Sequence, residues 1–257
     1  CIRDRHSLIG QSLLAPLLLN RKMDNLLNGH NYAKTAIDVA AIDILARHYN
    51  TRVCDILGGA ASEKLPAYYA SGIGDPEEIA ELAKDKAKQG YPRFQIKVGG
   101  RDIAIDIAVV RKVWEAVGYG IQLVVDANRG LTASQALRLC LACKDIPFVL
   151  EQPCSTIEEI LSIRAQISHP IYLDENTENL NEIMRAISLG VCDGFGLKLS
   201  RLGGLSKFAT VRDLCASRSL PHTCEDTWGG DITAAACLHI AATCLLYTSD
   251  AADEEDS

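Results

Sequence analysis

Short apolar runs recur along most of this chain, and amphipathic stretches follow them. The runs cover residues 65–70, 94–98, 122–125, 148–150, 171–173, 194–197 and 220–224. Most are continuous and rich in β-branched or aromatic residues, which is typical of strands covered on both faces in a parallel sheet. The stretches between them have helical spacing, for example over 76–89, 103–117, 133–144 and 205–217. This alternation predicts an α/β fold with right-handed crossovers.

A polar residue closes each of the last six runs. These residues are Lys97, Asp126, Glu151, Asp174, Lys198 and Glu225, at separations of 29, 25, 23, 24 and 27 residues. A (β/α) barrel uses about 30 residues per unit, so the separations match a barrel. A doubly wound sheet normally has a glycine-rich phosphate loop after its first strand, and residues 72–76 lack that fingerprint. The repeat therefore predicts a TIM-like (β/α)7β barrel that is truncated, with seven strands visible and the last strand missing.

The composition excludes several classes of protein. The 257 residues are 48% apolar and 23% charged, which rules out a disordered or collagen-like chain. A net charge of −7 argues against a nucleic-acid-binding surface as the main role. No uninterrupted apolar run reaches the roughly 18 residues of a membrane span. The sequence thus predicts a globular protein with no nucleic-acid or membrane partner.

The ten cysteines lie mostly inside apolar segments and lack the paired spacing of a zinc site. Cys140 and Cys143 form the only C-x-x-C pair. They lie inside a helical pattern rather than at a helix start, which disfavours a redox role. Free, buried thiols in a reducing compartment fit the sequence better, so we expect a cytoplasmic protein.

The two ends of the sequence differ from the repeat. Between residues 32 and 48, apolar residues form one helical stripe. The stripe consists of Ala36, Ile37, Ala40, Ala41, Ile44 and Leu45, with Asp38 and Asp43 near its margins. Residues 244–257 change abruptly to small and acidic residues and resemble the translation of a sequencing-library adapter. We therefore expect a non-native tail at 244–257 on a fragment of a longer protein.

Three of the strand-closing residues are acids on successive strands. Asp126, Glu151 and Asp174 are expected to converge on one mouth of the barrel, where the active sites of such folds lie. Burying three carboxylates side by side is costly unless a cation neutralises them. Because all-oxygen ligands with few protein donors suit Mg²⁺, the sequence predicts a magnesium site. The alternative for each acid alone is a helix cap or an ion pair with a nearby base.

Two lysines close other strands of the same repeat. Lys97 ends the second strand and Lys198 the sixth, so we expect them to face each other across the mouth. A lysine beside a divalent cation and a second lysine loses proton affinity, which suits a neutral amine acting as a general base. Such bases would reach either face of the α-carbon of a metal-bound carboxylate and generate an enediolate. The alternative is a pair of solvated lysines on loops.

Four motifs resemble those of a known family. They are Val124-Val-Asp-Ala-Asn128, Leu150-Glu-Gln-Pro153, Leu173-Asp-Glu-Asn176 and Lys198-Leu-Ser-Arg-Leu-Gly-Gly204. From Asn31 to Thr243 the sequence resembles the enolase superfamily, in its mandelate racemase/muconate-lactonizing subgroup. The resemblance implies Mg²⁺ bound by the three acids, Asn128 close by, and the two lysines as the acid/base pair. It also implies that 1–62 is the C-terminal helical part of an α+β capping domain and that 63–243 is an incomplete catalytic barrel.

The second strand departs from the family pattern at one position. The subgroup usually has Lys-x-Lys there, whereas this chain has Gln95-Ile-Lys97. Gln95 lies two residues before Lys97 and is therefore expected on the same side of the strand. An amide donates a hydrogen bond but supplies no charge. We expect the change to weaken the electrostatic activation of Lys97 without removing the base.

The segment Glu225-Asp-Thr-Trp-Gly-Gly-Asp231 resembles part of a particular branch of the family. That branch acts on proline derivatives and comprises cis-3-hydroxy-L-proline dehydratases and proline betaine epimerases. By this resemblance Trp228 would offer a π face to a ring ammonium, and Asp226 would pair with the ammonium. The alternative for Trp228 is a packing residue. His222 lies near the start of its strand, away from the mouth, and is expected to be structural.

The residues and the resemblance together predict a Mg²⁺-dependent dehydratase that converts cis-3-hydroxy-L-proline to Δ1-pyrroline-2-carboxylate through an enediolate. The first alternative is a proline betaine epimerase or another racemase with the same site. A Schiff-base aldolase with Lys198 as nucleophile and a non-catalytic barrel are alternatives of other classes. The partner would be a small carboxylate, and the full-length protein would be a homo-oligomer. The 257-residue chain alone is expected to be inactive.

Overall fold

The computed structural model describes residues 5–227 and 229–244. The described chain forms two compact units, and each is assembled from separate stretches of sequence. The first unit contains the chain up to Leu65, together with Thr177–Leu180 and the chain from Gly196 onwards. The second unit contains Pro66–Asn176 and Asn181–Phe195. The domain boundaries predicted at 62/63 and 243/244 stay predictions.

Helices and strands alternate after an all-helical beginning. The strands are β1 (Tyr68–Ala70), β2 (Arg93–Lys97), β3 (Gln122–Asp126), β4 (Phe148–Glu151), β5 (Ile171–Leu173), β6 (Gly194–Lys198) and β7 (His222–Glu225). The helices are α1 (Arg5–Leu8), α2 (Pro16–Leu26), α3 (Asn31–His48), α4 (Val53–Ile56), α5 (Pro76–Lys88), α6 (Ile103–Val117), α7 (Ala133–Ala142), α8 (Ile157–Arg164), α9 (Leu180–Leu189), α10 (Leu199–Leu202), α11 (Leu205–Ser217) and α12 (Asp231–Ala241). Within the described ranges, no helix has both the length and the hydropathy needed to cross a membrane.

The seven strands found among the described residues follow one another in one sheet, in the order β1 to β7. The pairs from β1–β2 to β5–β6 are parallel. Parallel strands in sequential order, each followed by a helix, are the arrangement of a TIM barrel. The predicted α/β, TIM-like class is therefore confirmed. In register, Lys97 lies beside Asp126, and Asp126 lies beside Glu151.

The strand boundaries differ from the predicted ones mainly at their ends. β1 begins only at Tyr68 rather than at Leu65, after Pro66, which has no amide hydrogen for a sheet hydrogen bond. Four strands instead extend one residue beyond their predicted ends. These strands are β3, β4, β6 and β7, and the added residues are Asp126, Glu151, Lys198 and Glu225. The extension places those four residues on regular strand backbone rather than in loops.

In the second unit, a buried cluster supports the strands that carry the acids. Val124, Val149 and Tyr172 come from β3, β4 and β5 and pack together. Each member lies two residues before one of the three predicted metal ligands and therefore points to the same face of the sheet. Thr132 and Gln135 form a capping box that fixes the start of α7. Packing and capping thus hold rigid the edge where the acids lie.

In the first unit, α2 packs against α3. Leu19 and Met23 of α2 form a buried cluster with Ala41 of α3. Pro16 occupies the first turn of α2, where its missing amide hydrogen costs nothing. This packing fixes α3 within its unit, and α3 also contacts the chain that follows Lys198.

The buried face of α3 differs from the predicted apolar stripe. Ile44 is 54% exposed, and Ala36 and Ala40 are exposed as well. The residues that are buried are Lys34, Thr35, Asp38, Ala41, Ile42, Leu45 and Ala46. The stripe was correct for Ala41 and Leu45 and wrong for Ala36, Ala40 and Ile44, because several of the other buried positions are polar residues that make hydrogen bonds. A pattern of hydrophobicity cannot identify such positions.

The cysteines that the structure describes are free, and all of them except the half-buried Cys192 are buried, as predicted. Burial raises the pKa of the Cys140 thiol to about 12 and that of Cys143 to about 11. We expect both to resist iodoacetamide at pH 8 in the native chain, because the reactive thiolate is almost absent. Both should react fully in urea, and mass spectrometry of peptides measures the difference. Equal labelling before and after unfolding would contradict this expectation.

Candidate active site

The strand-closing residues lie where the sequence predicted them. Lys97, Asp126 and Glu151 are the last residues of β2, β3 and β4, and Asp174 directly follows β5. Asp126, Glu151 and Asp174 are all buried. In the second unit, the carboxyl ends of neighbouring parallel strands therefore bring one lysine and three buried acids to the same edge of the sheet.

Lys97 and Asp126 form a close ion pair. The Nζ atom of Lys97 lies 2.5 Å from Oδ2 of Asp126 and 2.9 Å from Oδ1 of Asn128. The backbone N–H of Asn128 donates to the other carboxylate oxygen of Asp126 at 2.8 Å. The side chain of Lys97 is 26% exposed. The ammonium thus balances a buried carboxylate and keeps access to solvent.

Two side chains of β2 hold Glu151. The Nε2 atom of Gln95 donates to Oε2 of Glu151 at 2.7 Å, and Nη2 of Arg93 lies 3.6 Å from the same oxygen. Gln95 is on the same side of β2 as Lys97, as its spacing predicted. The same two-residue spacing points to Arg93, which the sequence analysis missed. The positive charge near Glu151 is therefore that of Arg93, which lies two residues before Gln95 on the same strand.

Gln152, the residue after Glu151, holds the loop that contains Asp174. Its Oε1 atom accepts hydrogen bonds from the backbone N–H groups of Asp174, at 3.0 Å, and Asn176, at 3.1 Å. Its Nε2 atom donates to the carbonyl of Cys154 at 3.0 Å and to the side chain of Asn176. The side chain is fully buried, so these bonds are shielded from water. Gln152 thereby fixes one predicted metal ligand relative to another.

Replacing Gln152 with alanine is expected to lower the free energy of unfolding by about 2–4 kcal/mol, because one buried and one partly buried N–H group lose their acceptor. Unfolding in urea measures the change. Gln89→Ala, at the exposed end of α5, is the matched control and should change stability by less than about 0.5 kcal/mol. Equal stability of the two variants would contradict the role assigned to Gln152.

The backbone at the ends of β3 and β4 is strained. Asn128, Arg129 and Gln152 have positive φ angles of 43°, 68° and 34°. Such conformations cost about 1–3 kcal/mol each in a residue other than glycine and persist only where the surroundings enforce them. The N–H of Arg129 donates to the carbonyl of Gln152 at 2.9 Å, which joins the two strained turns. Strain concentrated beside buried acids is typical of a functional site.

A fourth acid, Glu175, lies at the same edge and was not predicted. Burial raises its pKa, and the neighbouring Asp174 and Asp126 raise it further. The Nδ2 atom of Asn128 donates to one of its carboxylate oxygens at 3.1 Å. The other oxygen is buried and has no hydrogen-bond partner among the described residues. Glu175 is half-buried and follows a strand-closing acid, and nothing in its spacing alone indicated that one of its oxygens would be buried.

The donor set at this edge fits Mg²⁺ in its chemistry. The candidate ligands Asp126, Glu151 and Asp174 offer only oxygen atoms, which hard divalent cations prefer. A buried, unpartnered carboxylate oxygen on Glu175 indicates that this region gains from additional positive charge. In the described part of the chain, the three candidate ligands do not all bring an oxygen within 4.8 Å of one another. Binding would therefore require the side chains to move closer together.

In the first unit, Lys198 closes β6 and Glu225 closes β7, as predicted. Asp226, predicted to pair with a substrate ammonium, makes hydrogen bonds inside this unit. Its Oδ1 atom accepts from the hydroxyl of Ser200 and, at 2.8 Å, from the N–H of Thr227. Its Oδ2 atom accepts from the N–H of Ser200 at 3.2 Å. The predicted contact of Asp226 with substrate stays a prediction.

Trp228 lies outside the described residues, so its predicted role stays a prediction too. His222, the first residue of β7, is buried, in keeping with a structural role. Its ring and the Sγ atoms of Cys224 and Cys244 form a group of metal-ligand-type atoms within 4.8 Å of one another.

A TIM-barrel-type fold with acids and lysines closing its strands is the arrangement that barrel enzymes use for catalysis. A family model described as "Enolase C-terminal domain-like" matches residues 78–254. The chain therefore belongs to the enolase superfamily, as the resemblance predicted. The relatives to which it is similar are enzymes.

Similar proteins include a cis-3-hydroxy-L-proline dehydratase of Roseibium aggregatum, 40% identical over 96% of this chain and 67% of that protein. An N-succinyl-L-Arg/Lys racemase of Bacillus cereus is 33% identical over 77% of this chain and 55% of that protein. A solved mandelate racemase/muconate lactonizing enzyme from Roseovarius nubinhibens matches with a TM-score of 0.85 and 36% identity, covering 93% of this chain and 66% of that one.

A member of the enolase superfamily from the same organism, described as complexed with magnesium, matches with a TM-score of 0.88 and 30% identity. That match covers 96% of this chain and 66% of the other. This chain thus spans roughly half to two thirds of the length of these relatives.

Proposed function

We propose that the protein is a Mg²⁺-dependent dehydratase that acts on cis-3-hydroxy-L-proline. The observation that carries the proposal is the row of buried acids, Asp126, Glu151 and Asp174, with Lys97 paired to the first of them. The similarity to a dehydratase of that substrate, at 40% identity, supports the choice of substrate.

The three acids are the residues that would hold Mg²⁺. When bound, Mg²⁺ supplies positive charge beside the carboxylate of the substrate, which makes the neighbouring α-proton easier to remove. Gln95 and Arg93 would keep Glu151 in place, and Gln152 would keep Asp174 in place. These supporting contacts are already formed in the structure.

Lys97 and Lys198 are the proposed acid/base pair. Asn128 and Asp126 fix the Nζ atom of Lys97 while its side chain keeps access to solvent. One lysine would take the α-proton from C2 of the substrate. The C3–O bond then breaks, and the hydroxyl group leaves as water after gaining a proton. The enamine formed tautomerises to Δ1-pyrroline-2-carboxylate, so the net change is the loss of one water molecule.

An epimerase is the second candidate, because the sequence provides two strand-closing lysines. With two bases, one lysine would remove the α-proton and the other would return a proton to the opposite face of the carbon. The similarity to an N-succinyl-L-Arg/Lys racemase, at 33% identity, supports this alternative. In that case the 3-hydroxyl group, where present, would stay on the substrate.

The test uses the full-length gene product that carries this sequence, with cis-3-hydroxy-L-proline and Mg²⁺ in D₂O, followed by proton NMR. Conversion to the cyclic imine that stops with EDTA is the expected result. Formation of the C2 epimer, with deuterium at the α-carbon and the 3-hydroxyl group retained, would instead establish an epimerase. Absence of both changes would overturn the substrate. Covalent trapping of Lys198 by borohydride with a carbonyl compound, together with indifference to EDTA, would identify a Schiff-base aldolase.

A further inference from the structure

We propose that Asn31, Thr35 and Asp38 of α3 are positioning residues for Lys198. They hold the segment 199–206, which directly follows this lysine in the chain. The inference rests on the proposed function, in which Lys198 is one of the two acid/base groups. All of these residues belong to the first unit.

The three residues form one polar face of α3. Their spacing of four and three residues places them on the same side of the helix, one turn after another. The Nδ2 atom of Asn31 donates to the carbonyl of Arg201 at 2.7 Å. The hydroxyl of Thr35 donates its proton to the carbonyl of Asn31 at 2.9 Å, so its distances of 3.5 Å and 3.4 Å from the carbonyls of Leu199 and Ser200 are packing contacts. The polar face of α3 therefore lies along the segment, beginning at its first residue, Leu199.

Asp38 makes the strongest of these contacts. Its Oδ2 atom accepts from the N–H of Ser206 at 3.0 Å, and its Oδ1 atom accepts from the hydroxyl of Ser206 at 2.6 Å and from Nδ2 of Asn20 at 2.5 Å. The side chain is fully buried, and a buried carboxylate is tolerated only when hydrogen bonds compensate for its lost hydration. The hydrogen bonds of Asp38 to Ser206 therefore hold the segment at the point where it joins α11.

Asp38 also caps α11 from outside that helix. The residue before α11 is Gly204, which has no side chain to accept a hydrogen bond from the first turn. Ser206 lies in that first turn, and a carboxylate at a helix N-terminus is stabilised by the helix dipole. A carboxylate of α3 thus fixes where α11 begins and, with it, where the segment 199–206 ends.

Two consecutive glycines allow α3 to come this close. Gly203 and Gly204 have φ angles of +97° and +120°, which favour glycine. A Cβ atom on Gly204 would lie 2.6 Å from Cγ of Asp38, and one on Gly203 would lie 3.3 Å from Oδ1 of Asn31. Contact with α3 therefore requires glycine at position 204, whereas the positive φ angle favours glycine at position 203. Any other residue at position 204 would push the segment away.

The segment is held from a second side by Asp226, which follows β7. Its carboxylate accepts hydrogen bonds from both the N–H and the hydroxyl of Ser200, two residues after Lys198. Contacts at Ser200, Arg201 and Ser206 leave the backbone after Lys198 little freedom to shift. A catalytic side chain needs such support, since a displacement of about 1 Å can reduce the rate about 100-fold.

The test compares Asp38→Ala and Asp38→Asn in the full-length gene product, with cis-3-hydroxy-L-proline as substrate. We expect Asp38→Ala to lower kcat per folded molecule by about 10- to 100-fold with KM changed by less than about threefold. Asp38→Asn keeps an acceptor for the N–H of Ser206 and should recover most of the rate. Circular dichroism gives the folded fraction. Arg47→Ala, on the exposed last turn of the same helix, is the matched control and should keep the wild-type kcat.

A second readout does not depend on the amount of folded enzyme. The ratio of α-deuterium uptake to product formation in D₂O should change in Asp38→Ala if Lys198 is displaced, and should not change if the variant is merely less stable. Asn31→Ala, at the less buried end of the face, should shift this ratio in the same direction. It also keeps the inference testable if both Asp38 variants fail to fold.

The outcomes separate this inference from the proposed function. If Lys198→Ala leaves turnover unchanged, the proposed function is wrong. If Lys198→Ala abolishes turnover while folded Asp38→Ala and Asn31→Ala keep the wild-type kcat and the wild-type ratio, the positioning role is wrong and the proposed function stands.

Discussion

Lys97→Ala and Lys198→Ala are each expected to lower kcat for the dehydration of cis-3-hydroxy-L-proline by about 10³-fold, because a positioned general acid or base contributes about 10²–10⁴-fold. Steady-state kinetics on the full-length gene product, with product formation followed by NMR, measures the loss. Lys97→Met is a useful companion, since it keeps the aliphatic stem of the side chain and removes only the amine. It should be as inactive as Lys97→Ala.

Lys112→Ala is the matched control for the lysine variants. Lys112 lies on α6, its side chain is 45% exposed, and its ion pairs with Glu77 and Glu115 are long surface contacts at 3.9 Å. Such pairs contribute little, so the control should keep both kcat and stability. Activity within tenfold of wild type in either catalytic variant would exclude that lysine as the general acid or base.

The same two variants distinguish the dehydratase from the epimerase. In an epimerase, each lysine serves one face of the α-carbon, so a single variant should still exchange the α-proton of one C2 epimer with D₂O. In the dehydratase, loss of the base should stop exchange with the single reacting C2 epimer. Exchange that persists for opposite C2 epimers in Lys97→Ala and Lys198→Ala would therefore establish the epimerase.

Glu151→Gln and Asp174→Asn are expected to abolish stabilisation of the protein by Mg²⁺. A ligand present at 100 times its Kd stabilises a folded protein by about 2.7 kcal/mol. We expect the wild-type full-length gene product to gain this amount in urea unfolding as Mg²⁺ is raised, and the variants to gain almost none. Calorimetric titration with Mg²⁺ should show at least a 100-fold weaker affinity, because each variant loses one charged oxygen ligand.

Glu115→Gln provides the control for the metal variants. Its side chain is 68% exposed on α6, whereas the acids that close the strands are buried. The same gain in stability with Mg²⁺ in the control and in Glu151→Gln would show that the cation binds elsewhere. Loss of activity without loss of Mg²⁺ affinity in Asp174→Asn would also contradict the proposed ligand set.

The position of the acids and lysines could be predicted from the sequence because one repeated pattern determines it. A parallel strand ends at, or one residue beyond, the end of its apolar run, so the polar residue that closes the run lies at the carboxyl edge of the sheet. Asp126, Glu151 and Lys198 therefore needed only the spacing of the runs. The side of the strand on which Gln95 lies followed from the alternation of side chains along a strand. The same rule, applied two residues earlier, identifies Arg93.

The contacts that hold those residues could not be predicted in the same way. Gln152 lies in a loop, and its hydrogen bonds depend on a positive φ angle and on the path of the loop after β5. Asp38 lies in a helix whose apolar pattern predicted a different buried face. A buried polar residue is stable only if it forms hydrogen bonds, here with partners that are distant in sequence. The pattern of hydrophobicity gives no information about those partners.

The sequence by itself therefore determined the α/β alternation, the edge where catalysis is proposed and the residue types that lie there, because each depends on local periodicity. Only the tertiary structure decided how these residues are supported. It paired Lys97 with Asp126, brought Arg93 to Glu151, and placed Asp38 against the segment after Lys198. Those contacts join residues from 29 to 168 positions apart, and hydrogen bonds at such separations form only after the chain has folded.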